Sequence, residues 1–136
     1  MVTLTNPPSE IGFGNDSIVI RKHISDLQGG RSLDVSDFTE TSIHAGHVII
    51  TNGAGLYKPM PVKKDTDGKL IYNTLPAGYS YCGILAKSIL TARPMASILT
   101  YGIVNDLAMS ISITSIKTAF VTACPHISFE HDEESI

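Results

Sequence analysis

The stretch Ala45-Gly-His-Val-Ile-Ile-Thr-Asn-Gly-Ala-Gly-Leu-Tyr-Lys-Pro-Met-Pro-Val62 decides the fold class of this protein. Residues 47–51 are rich in β-branched side chains, which is typical of a strand. Residues 52–55 predict a hairpin loop, because asparagine and glycine tolerate positive φ. Residues 56–62 predict an extended edge segment, because their two prolines cannot donate ladder hydrogen bonds. The compact part of the chain therefore begins as strand, turn and strand.

Similar signals continue after this stretch. Asp65-Thr-Asp-Gly68 and Leu75-Pro-Ala-Gly78 predict two more turns, and residues 69–72, 79–86 and 96–104 predict strands. The apolar run at 79–86 indicates burial on both faces. Turn signals about every 8–12 residues predict a small β-sandwich or barrel-like domain.

One helix is predicted towards the end of the chain. Ile113, Ile116, Phe120 and Ala123 recur at helical spacing, and Pro125 would end the helix. We therefore predict a mainly β fold with one short helix near residues 111–123. Residues 43–136 would form this β-rich domain and its acidic tail.

Residues 1–42 differ in composition from the rest of the chain. Residues 1–17 are crowded with proline, glycine, asparagine and hydroxyl side chains, residues 18–20 predict a short strand, and residues 33–38 alternate apolar with polar like a strand on a surface. Through residue 42 the apolar side chains are sparse, which leaves too little clustered area to offset the entropy of folding alone. The pattern predicts an extended N-terminal arm that can add a strand to, or lie along, another protein.

Charge is unevenly distributed along the chain. Residues 1–42 carry six acids and three bases, residues 43–129 carry three acids and seven bases, and residues 130–136 carry four acids and no Lys or Arg. A basic body with acidic ends can pair with copies of itself. Simple solvation of both ends explains the same pattern. The bases neither cluster nor alternate with aromatics, so no nucleic-acid partner is expected.

Composition narrows the class of protein. The 136 residues favour one domain, and the 17% of charged residues lie below the usual quarter. Such a low-charge surface suits repeated protein–protein contact, and it equally suits a plain β protein rich in Ser and Thr. We expect a soluble protein made in a reducing cytoplasm, with no signal peptide and no membrane partner. We interpret Cys82 and Cys124 as small hydrophobic side chains. A disulfide between them is possible but not implied.

Three groupings suggest chemistry but fit structural roles better. His44 and His47 are three residues apart, and on a strand that spacing points them to opposite faces, so no metal site is predicted. The Asp65–Gly68 turn resembles the opening of a calcium loop, but position twelve of such a loop would be Pro76 rather than the required glutamate.

Cys124-Pro-His126 is the third grouping. It could suggest a thiol nucleophile and a base, but Pro125 would splay the two side chains, and no nucleophile elbow surrounds the cysteine. We therefore predict no catalytic residue, no metal and no cofactor, and a chain that is not an enzyme. A cysteine hydrolase at Cys124 is the competing enzymatic interpretation.

Two stretches resemble the head decoration proteins of tailed bacteriophages. The first is Ala45-Gly-His-Val-Ile-Ile with Leu56-Tyr-Lys-Pro-Met-Pro-Val, and the second is Gly83-Ile-Leu-Ala followed by Ala96-Ser-Ile-Leu-Thr-Tyr-Gly-Ile-Val-Asn105. The resemblance covers about residues 45–127 and includes a short helix roughly at 110–123. It is a pattern of strands and small residues without a diagnostic motif. Ile20-Arg-Lys-His and Gly29-Gly-Arg-Ser-Leu-Asp34 also resemble N-terminal segments of phage head-fibre proteins.

The resemblance implies a structural virion protein that binds the outer surface of a phage capsid as a head auxiliary or decoration protein. Its expected partners are the phage major capsid protein and copies of itself, most often as a trimer. Removal of residues 1–35 would then leave a folded body that no longer binds shells. The alternative is a β-rich structural or glycan-binding module of another surface assembly, such as a head-fibre base. The residues expected to contact the capsid are Ile18, Ile20, Arg21, Lys22, Arg31, Leu33 and Val35.

Overall fold

The protein is mainly β, with several sheets, one short helix near the end of the chain and a single helical turn near residue 16. A computed structural model describes residues 16–27 and 30–130, in which strand residues far outnumber helical ones. This confirms the predicted fold class. The elements are α1 (Asp16–Val19), β1 (Ile20–Asp26), β2 (Arg31–Ser32), β3 (Ser42–Ile43), β4 (Val48–Thr51), β5 (Tyr57–Pro59), β6 (Val62–Lys64), β7 (Leu70–Tyr72), β8 (Ser80–Leu85), β9 (Ile89–Leu90), β10 (Met95–Ala96), β11 (Ile98–Val104), α2 (Lys117–Ala123) and β12 (Ile127–Phe129).

A central six-stranded sheet organises these elements. Its order is β1-β11-β8-β4-β5, and β12 pairs with β11 beside this path. All its pairs are antiparallel except β11 with β12. The proline-containing strand β5 lies at an edge, as predicted from its missing N–H donors. Three two-stranded ribbons, β2–β10, β3–β9 and β6–β7, complete the structure.

The central sheet is covered on both faces. In β4, Val48 and Ile50 belong to one apolar cluster and Ile49 to the other, because alternate side chains of a strand point to opposite faces. The first core lies on the side of α2 and the β6–β7 ribbon, and it includes Val48, Ile50, Tyr72, Ile84, Leu99, Phe120 and Ile127. The second core lies on the side of β2, β3 and β9, and consists of Leu33, Ile43, Ile49, Leu85, Ile89, Ala96 and Ile98.

The two cysteines lie on opposite faces of this sheet. Ile49 pairs with Gly83 and Ile50 with Tyr81, so Cys82 is the extra residue of a β-bulge. Cys82 packs against the second core, whereas Cys124 belongs to the first. Both thiols are free, and the sheet between them keeps them apart.

The N-terminal boundary differs from the sequence prediction. Residues 1–15 lie outside the described residues, but β1 pairs with β11 along its whole length, and Val19 and Leu33 are 1% and 4% exposed. The folded body therefore includes most of the predicted 1–42 arm. The sequence predicts an arm here because the segment lacks local apolar clusters. In the folded protein, Val19 and Leu33 are each buried against residues that are distant along the chain.

The C-terminal helix is shorter than the predicted 111–123. It begins at Lys117, while Ile111 and Ile113 are buried in the irregular segment before it. The N-cap residue, Ile116, has an apolar side chain that cannot accept hydrogen bonds from the free N–H groups of the first turn. The start of the helix therefore has no side-chain cap. No helix in the described ranges is long and apolar enough to span a membrane.

Two glycines allow the central strands to approach closely. A Cβ on Gly83 would overlap the carbonyl oxygen of Leu99 in β11, and a Cβ on Gly102 would overlap the carbonyl oxygen of Lys22 in β1. In both cases the obstacle is backbone, which cannot move without disturbing the sheet. β1 and β8 can therefore lie this close to β11 only because Gly102 and Gly83 have no side chain.

We expect Gly83→Ala to lower the free energy of unfolding by about 2 kcal/mol or more, because the added methyl group displaces β11. Ser80→Ala changes an exposed residue on the same strand and should stay within about 0.5 kcal/mol of the wild type. Urea unfolding followed by circular dichroism measures both. Equal stability of the two variants would contradict the close approach.

Candidate contact surface

The first predicted contact residues lie at the start of the folded body. Ile18 is 53% exposed at the end of α1, and Arg21 and Lys22 are exposed on β1. Ile20 is only partly buried and packs against the first core. β1 is an edge strand of the central sheet, so its outer backbone edge is not covered by another strand of that sheet. This end of the predicted set can meet a partner.

The later predicted contact residues have structural roles. Leu33 is a member of the second core, and its N–H donates a hydrogen bond of 2.8 Å to the carbonyl of Pro94. Val35 is partly buried against the same core. Arg31 is partly buried, and its guanidinium lies 5.4 Å from the centre of the Tyr57 ring. Leu33 is thus a packed core side chain, and its contact with a partner stays a prediction.

Leu33→Ala should therefore reduce the free energy of unfolding by about 2–4 kcal/mol, since it opens a cavity in the second core. Lys22→Ala, at an exposed position of β1, should change it by less than about 0.5 kcal/mol. Chemical denaturation of the two variants tests the assignment. A Leu33→Ala protein as stable as Lys22→Ala would return Leu33 to the list of surface residues.

His47 is a core residue. Its ring is 5% exposed, its Nε2–H donates to the carbonyl of Met60 at 2.9 Å, and Phe38 and Tyr72 meet it edge-on at centroid distances of 5.4 and 5.2 Å. The Tyr72 hydroxyl in turn accepts a hydrogen bond from the N–H of Val48. Among residues 16–27 and 30–130, no group of three His, Cys, Asp or Glu side chains is placed to hold a metal ion.

Burial controls the protonation of His47. Desolvation lowers its pKa from 6.5 to about 4, and the Met60 carbonyl, which favours the charged ring, offsets this only in part. A cavity of about 170 Å³ lies beside the ring, between Phe38 and Ile111. The neutral imidazole thus serves as a packed hydrogen-bond donor near pH 7.

This burial predicts a loss of stability in acid. Between pH 6.5 and 4 the unfolded chain binds a proton that folded His47 does not, so the free energy of unfolding falls by roughly 3 kcal/mol as the pH decreases through that window. Urea titrations at several pH values measure the slope. His47→Gln should flatten it, whereas Ser80→Ala, at an exposed position of β8 with no titrating side chain, should not. The same slope in His47→Gln and wild type would overturn this account.

Cys124 has the environment of a protonated thiol. It is 8% exposed, its Sγ lies 3.7 Å from the carbonyl oxygen of Tyr81, and desolvation raises its pKa to about 11. An activated cysteine requires the opposite shift. The His126 ring lies against Tyr101, with centroids 5.4 Å apart. The structure thus gives both side chains of the Cys124–His126 grouping packing roles.

The acidic turn at Asp65 serves the β6–β7 hairpin. One oxygen of Asp65 accepts hydrogen bonds from the N–H groups of Asp67 and Lys69, both at 2.9 Å. Gly68 adopts a φ of 80°, which closes the turn. The Asp65 carboxylate therefore holds the backbone of the turn, in agreement with the prediction of a turn at residues 65–68.

Several exposed apolar residues were missed in the sequence. Met95 and Leu107 are 63% and 47% exposed, and Tyr101 is 48% exposed. Each lies within or close to the predicted strand at 96–104, where the local pattern does not distinguish an outward from an inward side chain. A basic cleft beside Met95, lined by Lys87 and Arg93, was also missed because its residues belong to different elements.

Comparison with known proteins gives no match to any protein family, to any curated protein or to any solved structure. The function must therefore be inferred from the residues and their arrangement.

Proposed function

We propose that this chain is a structural virion protein that binds the outer surface of a tailed-phage capsid and strengthens it. The observation that carries the proposal is the location of the two stretches with the decoration-protein pattern. They fold as β4 with β5 and as β8 with β11, and these four strands are consecutive neighbours in the central sheet. A pattern inherited from a common fold would occupy one contiguous unit in this way.

The element that follows these strands supports the same proposal. A short helix is expected after them, and α2 lies there, with Phe120 fully buried in the first core against Tyr81 and Phe129. The helix packs across β8, so it belongs to the same unit as the strands.

The use of the polar side chains also favours a binding protein. His47, Asp65 and Cys124 are the groups with the most obvious chemical potential, and each is held in a hydrogen bond or packing contact of the fold. The exposed side chains include large apolar ones, such as Ile18, Met95 and Tyr101, which suit contact with another protein.

Capsid binding would use residues 1–15 together with the adjoining edge of β1. This edge carries Arg21 and Lys22, which can pair with carboxylates of a shell. Contacts that exist only in the assembled shell stabilise that shell by mass action. The protein would thereby stabilise the capsid shell after the shell has assembled.

The structure changes which truncation tests this. Deletion of residues 1–15 leaves every described residue in place and should abolish co-sedimentation with capsids while preserving the melting temperature. Deletion of residues 1–35 also removes β1 and Leu33, so it should unfold the body, because β1 is the main partner of β11. The assay is sedimentation with shells of the major capsid protein encoded in the same genome.

Arg21→Glu combined with Lys22→Glu provides a matched test without truncation. It should weaken shell binding, whereas Lys63→Glu with Lys64→Glu, which makes the same charge change on the distant β6, should not. Failure of the wild-type protein to sediment with shells at saturating ratios would overturn the proposed function. Full binding by the protein without residues 1–15 would overturn the anchoring role of that segment.

A further inference from the structure

A cleft with a basic rim lies between the end of β8 and the start of β11. It encloses about 520 Å³ and is lined by residues between Lys87 and Ser97. Lys87 and Arg93 are both exposed at this cleft, and Met95 is 63% exposed. Ile89 supplies apolar wall and is itself almost fully buried. The cleft therefore offers two cations above an apolar lining.

The walls of the cleft are fixed by the fold. β9 pairs with β3 on one side, and β10 pairs with β2 on the other. Within the connecting loop, the N–H of Arg93 donates to the carbonyl of Leu90 at 3.0 Å, and the N–H of Met95 donates to the carbonyl of Arg93 at 2.9 Å. The concave shape thus exists before any partner arrives, which lowers the cost of binding.

The charges around the cleft favour an anionic occupant. Among the described residues, the Asp26 carboxylate contacts the cleft lining through Ser97, whose hydroxyl donates to it at 3.1 Å, and it also accepts a hydrogen bond from His23 at 3.0 Å. Lys87 and Arg93 also take part in other interactions within the molecule, and both side chains remain exposed at the rim of the cleft.

The chain contains one segment with complementary charge. Residues 130–134 carry four acids in five positions, and residues 130–136 contain no Lys or Arg. The other nine acids are spread over residues 1–129. An acidic run of this density is the natural counterpart of a cleft with two cations.

The acidic segment begins at the opposite end of β11 from the cleft of its own molecule. β12 runs parallel to β11, with Gly102 beside Ile127 and Val104 beside Phe129, so the chain at Glu130 travels away from Ile98. Seven residues of strand separate Val104 from Ser97, roughly 23 Å, whereas the backbone of the four residues from Glu130 to Glu134 spans at most about 14 Å. The extended backbone of the segment therefore ends short of its own cleft, whereas a neighbouring copy can bring its cleft to the segment.

We infer that the acidic segment 130–134 of one copy binds the Lys87–Arg93 cleft of a second copy of this chain. The carboxylates pair with the two cations, and the Arg93 guanidinium can hold one carboxylate through two parallel hydrogen bonds. The contact is heterologous, because each copy gives one segment and accepts another, and such contacts form a ring when the rotation between copies closes and a filament when it does not. The inference rests on the proposed function only in that the protein acts as an assembly of copies.

Sedimentation velocity of the full chain tests this without any capsid. The wild type should form a concentration-dependent oligomer at low salt that dissociates at high ionic strength, because exposed ion pairs are screened. Lys87→Glu with Arg93→Glu should weaken the association by about tenfold or more, and Asp132→Lys with Glu133→Lys and Glu134→Lys should do the same. Lys63→Glu with Lys64→Glu is the control and should associate like the wild type.

Mixing the two reversed variants provides the decisive measurement. Each carries one reversed half of the contact, so the cleft of the first now matches the tail of the second, and a mixed complex should form where neither associates alone. A wild type that stays monomeric at high concentration, unchanged association of both variants, or no complex in the mixture would overturn the inference. Shell binding is scored separately by co-sedimentation, so a monomer that still binds capsids would overturn this contact and leave the proposed function standing.

Discussion

The fold depends on the shared strand β11. Its first residues pair with β8, its last residues pair in parallel with β12, and its other edge pairs with β1 along the full length. Two of these neighbours approach closely only because Gly83 and Gly102 lack side chains. β11 also places Leu99 in one core and Ile98 in the other, so a shift of this strand would disturb both faces of the sheet.

This arrangement separates the interior from the surfaces that can bind partners. The polar groups of the interior are few and satisfied: His47 donates to Met60, and the Tyr72 hydroxyl accepts from Val48. A buried polar group with its partner in place makes the core specific without making it reactive. The exposed side chains of Arg21 and Lys22 lie towards the Val104 end of β11, and the basic cleft lies towards its Ile98 end.

The candidate contact residues divide according to burial. Ile18, Arg21 and Lys22 remain exposed at the start of the body, while Leu33 is packed and Val35 is half-buried. The sequence prediction treated them as one segment because all lie in a region with few local apolar neighbours. Leu33 finds its neighbours near residues 43, 49 and 98, at distances along the chain that no local pattern records.

The sequence by itself determined the β class and the turns. Those features depend on local chemistry: β-branched side chains at 48–50, glycines with positive φ at 53, 55, 68 and 78, and the proline that keeps β5 at an edge. Only the tertiary structure decided that β1 belongs to the body, that the cysteines face opposite cores, and that Lys87 and Arg93 share a cleft. Each of these depends on which distant strands pair and in what register, and pairing energy is set by contacts between segments that the local sequence does not encode.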